Sequence, residues 1–256
     1  TTEIYTLSLH DALPIWLRSW LISRQENGTI DHVDKWIKMV AINRLTGHSA
    51  GFFSVYTLPP NQAVTVKRQR LINIKRQQTP PIRDVSNIIA KKSKSLLSQD
   101  HVHAQEYKTL TSSSHQTSDI LTDSVSLTVT SPPFLDIVNY ESDNWLRCWF
   151  IGVNPKSVKI SQYRKIEDWE VFIGKTLIEL TRITHKLGYI AFEVGEVRKR
   201  SIRLEDYVIK AAKDLPLTVI GVMINQQEFS KTSNCWGISN NNSGTNSNRI
   251  VIFKKQ

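Results

Sequence analysis

Five consecutive residues, Thr130-Ser131-Pro132-Pro133-Phe134, bring together a side-chain hydroxyl, two rigid carbonyl-bearing residues and an aromatic ring. Proline has no N–H and fixes its own φ, so a Pro-Pro pair presents hydrogen-bond acceptors on a stiff backbone. An aromatic ring beside them adds a flat face for stacking. In the run that leads in, Val125, Leu127 and Val129 alternate with Ser126, Thr128 and Thr130. A period of two reads as a β-strand, and the prolines end it because neither can donate to a ladder. The hydroxyl, carbonyls and ring are therefore expected at the carboxyl end of a sheet strand, where open α/β sheets place ligands. Ser131 is not expected to be a triad nucleophile, since the glycines of a nucleophile elbow do not flank it.

Pro-Pro recurs in TLPPN at 59–60 and in TPPI at 80–81, so the dipeptide alone is a turn signal. Of the three copies, only the one at 132–133 follows an alternating strand and is followed directly by an aromatic residue. In that context Ser131, Pro132, Pro133 and Phe134 resemble motif IV of the DNA amino-methyltransferases, and the serine form is most similar to the cytosine-N4 group. The resemblance implies that a cytosine is flipped out of duplex DNA and receives a methyl group from S-adenosylmethionine on its exocyclic amine. It implies that Ser131 and the Pro132 carbonyl hold the amine N–H groups while Phe134 stacks on the flipped base. Asp136, Asn139 and Tyr140, just after the motif, are implied as base-pocket residues of lower rank; capping a loop and a helix start would use the same types.

One hydroxyl does not fix the base, and an adenine-N6 enzyme stays open, although that group usually carries Asp or Asn where Ser131 stands. Cytosine-C5 chemistry is disfavoured because it needs a nucleophilic Cys after Pro, whereas Cys148 follows Arg147 and Cys235 follows Asn234. The resemblance further implies a prokaryotic, cytoplasmic enzyme with double-stranded DNA as partner and a cognate restriction enzyme as a possible second one.

The elements that must position the motif follow it. The pattern predicts a helix from about Lys165 to Lys186 closing at Gly188, a buried strand at Tyr189–Val194, a helix at Arg203–Leu215, and strands at Leu217–Ile224 and Arg249–Lys254. Alternating strands and helices argue for an α/β sheet with crossover helices. The same order of elements resembles the Rossmann-like class I methyltransferase fold, whose final strand is antiparallel. Asn225-Gln226-Gln227 with Lys231, Asn234 and Trp236, and the run GTNSNR at 244–249, could read a base edge or simply build a turn-rich hairpin.

Ahead of the motif the reading is helical. WLRSWLISRQ from Trp16 is a first helix, and Asp31 to Leu45 a second, with Val33, Trp36, Ile37, Val40 and Ala41 on one core-like face and Gly47 as its stop. GFFSVYTLPPNQ at 51–62 reads as extended. After the motif, WLRCWFIG places Trp145 and Trp149 as i,i+4 neighbours on a short amphipathic helix.

Charge is concentrated before the motif. The chain has 33 basic and 23 acidic residues, a formal net charge of +10, which makes a polyanion a natural partner. Lys67, Arg68, Arg70, Lys75, Arg76, Arg83, Lys91, Lys92 and Lys94 face one acid, Asp84, within 67–94, so this window holds +8 of the total. Two helices split at Thr79-Pro80-Pro81 are expected to carry it, either against DNA phosphates or as a merely solvated face. A catalytically silent DNA-binding protein is the alternative that rests on this window.

Two cysteines are too few for a disulfide framework and fit a reducing compartment. No apolar run is long enough to span a bilayer. His101, His103 and His115 lack ligand spacing, so no metal is expected. Residues 1–15 resemble a translated sequencing adapter and carry no signal-peptide pattern. The expected organisation is this segment, a basic helical region at 16–100, and a catalytic α/β part at 101–256. The resembled family binds S-adenosylmethionine on a glycine-rich turn, because only glycine lets backbone approach a cofactor that closely. Ten scattered glycines here contain no Gly-x-Gly. The expectation is a carboxyl-terminal fragment of a methyltransferase, its fold incomplete at the amino-terminal side and inactive by itself.

Overall fold

The computed structural model describes residues 12–47, 49–55, 64–79, 81–98, 106–133, 135, 140–197, 202–226 and 247–256. Contacts divide the chain into two units, one of Thr1–Glu106 with Asn139–Ile160 and one of Tyr107–Val138 with Ser161–Gln256.

The first unit is helical, built from α1 (Ala12–Glu26), α2 (His32–Ile42), α3 (Val66–Lys75), α4 (Val85–Leu97) and α5 (Tyr140–Ile151). A parallel pair of two-residue strands, β1 (Thr46–Gly47) and β2 (Ser54–Val55), joins them. A reciprocal capping box starts α2: Asp31 Oδ1 accepts from the Asp34 N–H at 2.8 Å and Asp34 Oδ2 accepts from the Asp31 N–H at 3.1 Å. Asp34 is buried, and Arg24 Nε of α1 donates to it at 2.6 Å.

This corrects the sequence reading of α2 in two places. Val33 is exposed, and the buried position beside it belongs to the paired carboxylate. The helix also ends at Ile42 and not at Gly47, because Asn43 caps it and donates its side-chain amide to the Met39 carbonyl at 3.0 Å. Gly47 serves β1 instead: a Cβ there would run into the Phe52 ring. The core of this unit holds Leu21, Ala41, Leu45, Phe53, Val85 and Phe150, so α5 packs with the helices that precede the motif. Arg18 donates to the Trp149 carbonyl at 2.7 Å and lies 4.6 Å above the Trp149 ring, locking α1 to α5.

The second unit is the α/β part, with β3 (Val125–Thr130), α6 (Ile166–Ile183), β4 (Thr184–Val197), β5 (Ile202–Arg203), α7 (Leu204–Ala211), β6 (Leu217–Gln226) and β7 (Ser247–Lys255). Its sheet runs β3-β4-β7-β6, with β5 beside β4. β3 and β4 are parallel across the α6 crossover, whereas β7 enters between β4 and β6 antiparallel to both. The α/β expectation and the antiparallel final strand are both met, and the sheet is Rossmann-like.

Alternation builds the core. Ile190, Phe192 and Val194 of β4 and Val251 and Phe253 of β7 are fully buried against Trp169, Phe172, Ile173, Leu177 and Leu180 of α6 and Leu204 and Val208 of α7. Each such side chain contributes about 1.5–3 kcal/mol by leaving water. On the opposite face Leu127 of β3 sits beside Tyr189 of β4, and both are exposed. Among the described strands β3 is at the edge, with Val129 72% exposed.

Two boundaries differ from the sequence reading. α6 stops at Ile183 because Thr184 turns extended, at φ −73° and ψ 130°, and opens β4 directly. α7 covers only Leu204–Ala211, with Ala212 as its cap.

Candidate functional site

β3 delivers the motif. Its register sets Thr130 beside Phe192 of β4, and the ladder ends there, where proline can no longer donate. Ser131 comes out exposed, Pro132 is buried, Pro133 is half-buried, and Leu135 returns to the core with no exposed surface. Trp169, fully buried in the first turns of α6, donates its indole Nε1–H to the Pro133 carbonyl at 3.0 Å. The segment is thus held by two inward residues and one hydrogen bond, while Ser131 stays exposed.

The entry to β3 is pinned as firmly. Arg182, at the end of α6, donates to the Thr117 and Ile120 carbonyls, each at 3.1 Å, and to Thr122 Oγ1 at 3.0 Å. Glu179 takes the Thr117 N–H at 2.7 Å and hydroxyl at 2.6 Å, and forms a two-bonded fork with Arg182. The Arg182 guanidinium first, and the Thr117 donors with it, outweigh the effect of burial and hold the Glu179 carboxyl at a pKa of about 2. Asp123 and Ser124 then donate their N–H groups to the Arg182 and Ile183 carbonyls at 3.0 and 2.9 Å.

Of the expected base-pocket residues, Phe134, Asp136 and Asn139 lie outside the described residues. Tyr140 opens α5, and its carbonyl accepts from the Asn144 side chain at 3.0 Å. It therefore groups with the helical unit. Asn225 is exposed near the end of β6, Gln226 closes that strand and Ser247-Asn248-Arg249 open β7, while residues 227–246, with Gln227, Lys231, Asn234 and Trp236, are outside the description. His101 and His103 lie outside it too. Among the described residues no group of three or more His, Cys, Asp or Glu could hold a metal ion.

The basic window forms two helices, as its Pro-Pro break predicts. α4 is anchored: Val85 is buried, Ile88 and Ile89 pack on the core, and the Trp36 indole donates to Ser93 at 2.9 Å. Lys91 is exposed and Lys92 half-buried on it. α3 has no buried residue, and Lys67, Arg68, Arg70 and Lys75 are exposed along it, with Arg76 exposed at its C-cap. Thr65 caps it by accepting from the Arg68 N–H at 3.4 Å.

Sequence reasoning missed Trp169 and Glu205. Trp169 reads as one more apolar residue of an amphipathic helix, and nothing in its spacing announces a carbonyl partner. Glu205, in the first turn of α7, reads as a solvated acid, yet it is 1% exposed and receives Arg203 and Arg249 at 3.0 and 2.8 Å. A separate groove of about 470 Å³ in the helical unit is lined by Ile30, Met39 and Ile42 with Lys35 and Lys38. It shares no residue with the motif.

No family model and no curated protein sequence matches this chain. Solved structures do. TTHA0409 of Thermus thermophilus, named as a DNA modification methylase, matches at 16% identity over 56% of this chain and 52% of that one, with a TM-score of 0.35. Its complex with S-adenosyl-L-methionine matches at 17% identity over 56% and 53% of the two chains, with a TM-score of 0.34. Its selenomethionine form matches at 18% over 54% and 47%, with a TM-score of 0.32. This chain thus spans about half the length of the solved structures it matches.

Proposed function

We propose that this chain is the base-holding part of a DNA methyltransferase that uses S-adenosylmethionine and acts on the exocyclic N4 of a flipped cytosine. The observation that carries the reading is the exposed Ser131 on the braced Pro132-Pro133 corner at the carboxyl end of β3. An exocyclic amine is a poor nucleophile because its lone pair is delocalised into the ring. A hydroxyl and a carbonyl that accept its N–H bonds turn that lone pair out of conjugation and lower the barrier to methyl transfer. Fixed proline geometry removes the entropy of arranging those acceptors. The exposed cations of α3 would meet DNA phosphates.

The cofactor is another matter. S-adenosylmethionine supplies an electrophilic methyl group when bound, but this chain has no Gly-x-Gly, and a Cβ added at Gly174 or Gly221 meets nothing within 4 Å. None of its residues is assigned to hold that cofactor. The finer reading is that the glycine-rich turn lies outside these 256 residues and that the chain alone does not methylate.

The test is incubation with DNA and labelled S-adenosylmethionine, alone and with the upstream coding sequence of the parent genome restored. N4-methylcytosine made only by the restored protein, and lost in Ser131→Ala and Phe134→Ala, is the expected product. Methyladenine would move the target to adenine-N6. Salt-sensitive DNA binding without label would favour the silent binding protein, the reading that α3, with no buried residue, supports.

A further inference from the structure

We propose that Trp169 is the positioning residue of this site. Its buried indole N–H holds the Pro133 carbonyl and so sets the conformation in which Ser131 meets the base amine, an inference that rests on the base-holding reading above. Ring closure fixes φ at both prolines and Pro133 restricts ψ at Pro132, so the open angle is ψ of Pro133, which decides where its carbonyl points. Neither can be fastened through an N–H. The remaining handle is a carbonyl, and Trp169 takes that of Pro133 at 3.0 Å.

Trp169 can supply a directed bond because it cannot move. It has no exposed surface and lies in the same cluster as Leu135, the residue that returns the segment to the core. A buried indole without an acceptor would be costly, so bond and burial enforce one another. Ser131 is the exposed residue of the corner, and with the Pro133 carbonyl taken by Trp169 the Pro132 carbonyl is left as the second acceptor for the base amine. A purely structural Trp would stabilise the fold without deciding how well the corner holds a base.

The test separates those roles with a fluorescent duplex carrying a cytosine opposite an abasic site, a base that leaves the stack at little cost. Affinity for it is compared with that for the fully paired duplex, for the whole chain, Trp169→Phe, Trp169→Met, Ser131→Ala and Leu177→Ala. Leu177 is equally buried on α6 and serves as the stability control. The expected result is a preference for the unpaired cytosine that falls to about one in both Trp169 variants and in Ser131→Ala, with paired-duplex affinity unchanged. Leu177→Ala should lose thermal stability and keep the preference. A preference retained in either folded Trp169 variant, or lost equally in Leu177→Ala, overturns the positioning role alone. Absence of any preference in the unmodified chain overturns the base-holding reading, and this inference with it.

Discussion

Glu179 and Arg182, one turn apart near the end of α6, face each other through two hydrogen bonds of 2.9 and 2.8 Å, and both reach over to the segment at 117–122. The pair couples the crossover helix to the chain that enters β3. Replacing Arg182 by Met removes its three donor bonds to that segment while leaving Glu179 beside it without its cation. The expected outcome is a fall of roughly 5 °C or more in the thermal midpoint. Protease cleavage should shift to residues 117–122, as mass spectrometry of the fragments would reveal. An unchanged midpoint and cleavage pattern would remove this pair from the account of how β3 is held.

The same pair gives the fold a pH signature. The Glu179 carboxyl is held at about 2, below its ordinary value of 4.5, by the Arg182 guanidinium first and the Thr117 donors after it. A depressed folded-state pKa means that the contribution is complete above the unfolded value and fades as pH falls from about 4.5 toward 2. Urea unfolding across that range should lose stability more steeply in the unmodified chain than in Glu179→Gln. Parallel curves would contradict the assignment.

Gly188 tests the geometry at the start of the β3–β4 ladder. A Cβ there would sit 2.9 Å from the His185 carbonyl oxygen and 3.0 Å from that of Ser126, both backbone atoms with little room to yield. Gly188→Ala is expected to cost about 1–3 kcal/mol in chemical denaturation. A neutral result would mean that β3 can shift away from β4 without loss.

Much of this unit was legible in the sequence because its signals are local. The alternation of Val125 to Thr130, the apolar run at Tyr189–Val194 and the Pro-Pro stop depend on neighbouring residues alone. What was not legible depends on partners distant in sequence. Gly188 reads as a helix stop because glycine often is one, yet a Cβ there is crowded by the His185 carbonyl and also by the Ser126 carbonyl across the ladder, a partner that spacing does not reveal. Thr184 ends α6 four residues before that glycine, since its extended backbone starts β4 at once. Trp169 and Glu205 followed the same rule, as periodicity predicts burial for the first and exposure for the second. Neither the Pro133 carbonyl nor Arg249 could be inferred from spacing.

β3 predicts behaviour at high concentration. Among the described residues it ends the sheet, and Leu127 and Val129 are 58% and 72% exposed on it. An edge with apolar side chains is a template for pairing with another chain. Sedimentation equilibrium should find concentration-dependent association at micromolar protein that Val129→Lys abolishes, with no loss of thermal stability, because the lysine replaces a solvent-facing side chain. Association that persists in Val129→Lys would assign it to a different surface.

The basic helix α3 makes the last prediction, and salt is its measure. Lys67, Arg68, Arg70 and Lys75 are exposed and no acidic residue lies within the helix, so nothing on α3 itself neutralises them. Each cation that meets a phosphate releases counterions, and log K falls with log salt by about 0.9 for every such contact. Changing all four to Gln keeps good helix formers and should make that slope shallower by about 3–4. Helix content by circular dichroism serves as the control. If the slope is unchanged with the helix intact, the cations of α3 are a solvated face and DNA is held elsewhere. If it falls as expected while cytosine preference at Ser131 persists, phosphate contact and base holding are separable properties of this chain.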